Sequence, residues 1–259
     1  MTRDVPSRKS LWQKLNLLED WLATGFSRPH PELEISETAD APAAAPAAHA
    51  AVAPAPAPAA APASAPGDDS SSAGADRPGL LAVVAAEVSA CVKCGLSAGR
   101  TTTVPGEGSL DAPVMFVGEG PGAEEDRTGR PFVGAAGQYL DKWIASIALD
   151  RSRCYIANCV KCRPPQNREP HPDEIGACLP YLERQIAAVR PRLICCLGRI
   201  AAQTLLGTTS SLGGLRGRIH QRKGIPVVVT YHPSAVLRDQ SLRKPVWEDL
   251  KVVQKLLQQ

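Results

Sequence analysis

Four short apolar runs recur along the chain, PVMFVGE (113–119), RCYIANC (153–159), RLICCLG (192–198) and IPVVVTY (225–231). Between and after them lie stretches of helical character at 134–148, 172–189, 199–206 and 245–257. Each run is strand-sized and lacks the polar alternation of a strand with one wet face, so both faces need covering. Strands of that kind joined by helices predict an α/β domain, three-layer α/β/α, with a central four-stranded parallel sheet. In such sheets ligands bind at the carboxyl ends of the strands. That rule singles out GEGPG (118–122), Asn158 and YHPS (231–234).

The remainder of the 259 residues folds differently. Residues 41–66 hold 16 Ala and 7 Pro, a composition that builds no core and whose prolines interrupt any long helix. Three regions are expected: an N-terminal extension at 1–37, a disordered Ala/Pro-rich linker at 38–78, and the folded domain at 79–259. Within the extension, Leu11, Leu15, Leu18 and Leu22 share one helical face, with Ser10 as a cap and Trp12 and Trp21 adding bulk. This short helix could pack on the main domain or dock a protein partner. No apolar run approaches the ~20 residues that cross a bilayer, so no membrane is expected. The charged N-terminus does not read as a signal peptide, which makes the expected location cytoplasmic.

In a reducing compartment spaced cysteines are metal ligands or core residues more often than disulfides. Cys91 and Cys94 form a C-x2-C pair, and Cys162 and Cys178 flank the irregular segment RPPQNREPHP. Four thiolates can hold zinc or a [4Fe–4S] cluster, and spacing does not choose between them. Cys195 and Cys196 lie inside an apolar run and Cys154 and Cys159 beside another, as core residues would. GEGPG lets a backbone approach a ligand closely, Phe132 is a lone aromatic in a polar loop, and His232 ends the last apolar run.

CVKC (91–94), GEGPGAEEDRTGRPFVGAAGQYLD (118–141), YIANCVKCRPPQNREPHPDEIGAC (155–178) and YHPSAVLR (231–238) together resemble the family 4, iron–sulfur, uracil-DNA glycosylases. The resemblance runs in order over nearly all of 79–259 and leaves 1–78 uncovered. It implies an α/β/α fold, uracil-containing DNA as the partner and a monomer acting in base excision repair at the bacterial nucleoid. It also implies a [4Fe–4S] cluster on Cys91, Cys94, Cys162 and Cys178.

Cleavage of the glycosidic bond leaves negative charge on the uracil and positive charge on the sugar, so the departing base needs a donor. The resemblance implies that His232 donates to uracil O2, that Asn158 reads the N3–H and O4 edge, and that Phe132 stacks on the flipped base. Glu119 and Gly120 fall where base and water are positioned. The best-known branch of the superfamily has an Asp at the second of these, so Gly120 leaves no side-chain base there. Glu125 is expected to crowd uracil C5 against thymine. Ser234, Arg238, Arg163 and Arg168 are expected at the DNA backbone.

Residues 79–259 carry 23 Lys+Arg against 16 Asp+Glu, whereas 1–78 carry 6 against 10, an excess that favours phosphates only in the folded part. Two other classes compete: an electron-transfer iron–sulfur protein, and a protein that binds or covalently traps uracil DNA without turnover. The first leaves Asn158 and His232 unexplained. Trapping relatives carry a basic, His-bearing insert after the second strand, and RPPQNREPHP with His171 is no such insert, so turnover is expected.

Overall fold

The computed structural model describes residues 76–259. The expected helix at 10–24 and all but the end of the linker at 38–78 lie outside the described residues. The folded boundary falls ahead of residue 79. Helix α1 (Arg77–Ala90) starts on Asp76, whose carboxylate accepts from the N–H of Gly79 at 2.9 Å, with Pro78 in the first turn. Arg77 fastens that end, donating to the carbonyls of Ala188, Val189 and Leu110.

The chain continues through β1 (Glu107–Gly108), β2 (Val114–Gly118), α2 (Ala123–Thr128), α3 (Ala135–Ser146), β3 (Tyr155–Asn158) and α4 (Pro172–Val189). Then come β4 (Leu193–Leu197), α5 (Arg199–Leu206), α6 (Leu212–Leu215), β5 (Ile219–Arg222), β6 (Ile225–Thr230), α7 (Pro233–Arg238) and α8 (Arg243–Leu257). The four expected strands are present and parallel, in the order β3-β2-β4-β6. The sheet as a whole is six-stranded and mixed, because β1 and β5 add antiparallel edges. The expected four-stranded parallel sheet is thus the centre of a wider one, with an antiparallel strand on each edge. Strand β5 joins β6 through the two-residue turn Lys223–Gly224, both at positive φ, the geometry that suits a hairpin's twist.

Both faces of the sheet are covered. Met115, Val117, Ile194, Cys196, Val227 and Val229 pack on one side with Leu182 and Ile186 of α4 and Leu205 of α5. Val114, Phe116, Leu193, Cys195 and Val228 pack on the other with Leu140, Trp143 and Ile144 of α3 and Val246, Leu250 and Val253 of α8. These helical residues recur three, four and seven apart, which puts each set on one helix face. Cys195 and Cys196 are fully buried on opposite faces, the core residues they are expected to be. Among the described residues no helix is long and apolar enough to cross a membrane.

A buried polar link ties α8 to the end of β6. Asp249 accepts from Thr230 Oγ1 at 2.7 Å and from Arg216 Nε at 2.8 Å, and its side chain is 5% exposed. Asp249→Ala strands a buried guanidinium and hydroxyl, so the unfolding free energy should fall by about 3 kcal/mol in urea titration. A loss under about 1 kcal/mol would show that solvent reaches the pair.

Candidate active site

Strand β2 has β3 on one side and β4 on the other, so connections leave it in opposite directions and a crevice opens beyond its carboxyl end. A cleft of about 510 Å³ lies there. Its walls include Glu119, Gly120, Glu125, Phe132, Asn158, Arg168, His232, Ser234 and Arg238, nine of the ten residues expected to face base or DNA; Arg163 is not among them.

Asn158 ends β3 and is 1% exposed. Its Oδ1 is buried and accepts no hydrogen bond. Its backbone carbonyl takes the ammonium of Lys161 at 2.9 Å. In register beside Asn158 on β2 stands Gly118, where a Cβ would lie 2.5 Å from Asn158 Oδ1 and 2.6 Å from the Phe132 ring. Only glycine leaves room for both side chains.

His232 caps α7, and its Nδ1 accepts from the Ser234 N–H at 3.2 Å and meets Ser234 Oγ at 2.8 Å. An N–H pointing at Nδ1 makes that nitrogen the acceptor, so in the neutral ring the proton is on Nε2. Neutrality is enforced: burial, with the nearby Arg238 charge, pushes the imidazole down to about 4. The Phe132 ring faces His232 with centroids 5.6 Å apart. The arrangement presents an N–H donor, an unpaired amide acceptor and an aromatic face to one small cavity.

Glu125 is 8% exposed, and its oxygens accept from three backbone N–H groups: Gly122 at 3.1 Å, Val133 at 2.8 Å and Gly134 at 2.9 Å. Burial and the carboxylate of Glu169 raise the Glu119 carboxyl, against the opposing charge of Arg199. Gly120 lies against Val160, 2.8 Å from where a Cβ would be. Arg238 is exposed at the cleft rim. Arg168 in the cleft wall grips the Glu174 carboxylate with both Nη atoms, at 2.8 and 2.7 Å. Arg163 donates to Asn167 Oδ1 at 2.9 Å.

Cys91, Cys94, Cys162 and Cys178 meet in a separate apolar cluster with Val84, Val88, Leu96 and Tyr181. All eight cysteines are unpaired. Arg100 Nη1 donates to Cys162 Sγ at 3.3 Å, and the Lys161 N–H donates to Cys178 Sγ at 3.3 Å. Burial pushes the Cys178 thiol up to about 11, against the pull of Lys161. Among the described residues no three His, Cys, Asp or Glu side chains converge tightly enough to hold a single metal ion. Sequence reasoning overlooks Gly118 as a spacer, although it opens GEGPG, and Lys161, which lies between Asn158 and Cys162. Lys161 is 1% exposed, and its ammonium meets only the Asn158 carbonyl and Gln185 Oε1, with no carboxylate. Burial pushes it down to about 8.

The family model of the uracil DNA glycosylase superfamily matches residues 105–255. A Type-4 uracil-DNA glycosylase of Sulfurisphaera tokodaii is 47% identical over 179 residues, 66% of this chain and 81% of that protein. Proteins of the same name from Archaeoglobus fulgidus and Thermotoga maritima are 43% and 44% identical, covering 89% and 93% of their lengths and 66% and 68% of this chain.

The lowered pKa of His232 makes a prediction for stability. An unfolded chain binds the proton near the ordinary 6.5, the folded chain only near 4. Stability from the neutral ring is therefore complete above about pH 6.5 and is lost as pH falls to about 4, by as much as about 3 kcal/mol. Urea midpoints of the wild type should drop more steeply between pH 7 and 4.5 than those of His232→Gln. Equal slopes would show that the histidine titrates normally.

Proposed function

Because this chain belongs to the uracil DNA glycosylase superfamily, we propose that the cleft beyond β2 is where it hydrolyses the bond between uracil and deoxyribose, leaving an abasic site. The chain removes uracil from DNA in base excision repair. The observation that carries the assignment of the cleft is the unpaired, buried Oδ1 of Asn158 in the same cavity as the Nε2–H side of His232. Uracil offers an N3–H to that oxygen and an O4 to the amide Nδ2. Cytosine offers an acceptor at N3 and a donor at position 4, so one amide rejects it twice.

His232 acts as a neutral donor. As the glycosidic bond lengthens, charge accumulates on uracil O2, and an N–H already fixed by the Ser234 amide needs no reorganisation to meet it. Phe132 gives the flipped base an aromatic face. Glu119 and Gly120 border the space for base and water, and Gly120 brings no side-chain base. Exclusion of thymine is assigned to Glu125 on its place in the cleft wall. Arg238 and Ser234 serve the DNA backbone at the rim.

The cysteine cluster fits a [4Fe–4S] group held by Cys91, Cys94, Cys162 and Cys178. The thiols are unpaired and gathered, and two of them receive N–H donors. The buried Lys161 ammonium has no carboxylate, and thiolates beside it would be its counter-charge. When bound, the group would cross-link the start of the domain to both ends of segment 163–177.

Two experiments test this reading. His232→Ala should lower single-turnover excision of uracil from an oligonucleotide by ~10²–10³, with DNA binding little changed, because the donor matters most in the transition state. Excision at the wild-type rate, or a covalent protein–DNA band in place of product, would contradict it. Anaerobically purified protein should be brown with about four irons per chain, and Cys162→Ala or Cys178→Ala should lose the colour. A colourless, zinc-loaded and active wild type would contradict the cluster.

A further inference from the structure

Phe132 is the one aromatic in the cleft wall whose backbone is strained. Its φ is +51°, in the left-handed region that a bulky residue enters only when its surroundings insist. Two charged groups insist, from opposite sides of the same loop. The Glu125 carboxylate collects the amides of Val133 and Gly134. The guanidinium of Arg151, at the start of the turn before β3, collects the preceding carbonyls: Nη2 donates to Pro131 O at 2.5 Å and Nη1 to Phe132 O at 3.0 Å. Arg151 is itself aimed by Asp141 at 2.8 Å and Glu107 at 3.1 Å. Gly137 lets helix α3 press against the loop, since a Cβ there would lie 1.9 Å from Phe132 O.

We propose that Arg151 is a positioning residue for base capture: with Glu125 it clamps loop 130–134 so that the Phe132 ring is fixed across from His232 before DNA arrives. The clamp is a pairing of opposite charges with opposite backbone poles. The anion takes the loop's N–H groups, the cation its C=O groups, and the intervening peptide units cannot rotate without breaking both sets. Arg151 touches neither base nor DNA in this account. Its effect on the reaction passes through the place where Phe132 stands, and the proposal therefore rests on the reading of Phe132 as the stacking residue.

A double-mutant cycle separates the possibilities. Arg151→Gln should lower single-turnover uracil excision by about 10–100-fold, the order of cost of displacing a positioning group by an ångström. In a Phe132→Ala background the same substitution should change the rate by less than about twofold, because the ring it positions is gone. Asp141→Asn, which removes one ion pair of Arg151 but neither loop carbonyl bond, should stay within about twofold of wild type. Where Arg151→Gln does not fold, Arg151→Lys keeps the charge, loses the two-pronged grip and enters the same cycle. Equal losses from the Arg151 substitution in both backgrounds would overturn the proposal and leave Phe132 as the stacking residue. Wild-type excision by Phe132→Ala would overturn the stacking reading and this proposal with it.

Discussion

A buried amide oxygen without a donor costs about 1–3 kcal/mol, and Asn158 Oδ1 bears that cost in a fold that satisfies nearly every other buried polar side chain described. Several features of the molecule keep it unsatisfied. Gly118, in register on the neighbouring strand, removes the side chain that would fill the space. Lys161 takes the Asn158 backbone carbonyl rather than its side chain. The Phe132 ring borders the same space, 2.6 Å from where a Cβ on Gly118 would stand. The cost is recovered only when a ligand supplies an N–H, which is the condition for selectivity between bases that differ by one donor and one acceptor.

Across the cavity, the role proposed for His232 answers a different problem, the charge that appears during cleavage. A protonated imidazole would be the stronger donor, but burial and Arg238 keep the ring neutral. The Ser234 amide then decides which nitrogen carries the proton. The donor is thus set by a helix cap: α7 begins where β6 ends, and the same Nδ1 that caps the helix aims Nε2 elsewhere. A buried cation, Lys161, connects this end of the sheet to the cysteine cluster. Its ammonium reaches the Asn158 carbonyl at the end of β3, and its N–H reaches Cys178 Sγ.

Much of this was legible in the residue order. Four apolar runs without alternation announce buried parallel strands, and the rule of carboxyl ends then collects GEGPG, Asn158 and YHPS at one place. The edge strands are not legible in the same way, because Ile219–Arg222 is half-exposed and polar, and its pairing rests on the Lys223–Gly224 turn. Roles that depend on what a side chain leaves undone are also hidden. No sequence pattern shows that Arg168 spends its charge on Glu174, that both oxygens of Glu125 are occupied by amides, or that Asn158 Oδ1 is not. Long-range charge partners such as Arg151 and the Phe132 loop carry no spacing signal, since nineteen positions and a whole helix separate them.

The claim on which the account turns is that the open valence of Asn158 is filled by the N3–H of uracil. Competition of free bases against uracil-containing DNA measures that contact without any change to the protein. Uracil should inhibit excision, and 3-methyluracil, which has lost only the N3–H and gained a methyl in its place, should fail to inhibit at concentrations at least ~100-fold higher. Equal inhibition by the two would show that Asn158 Oδ1 does not receive the base.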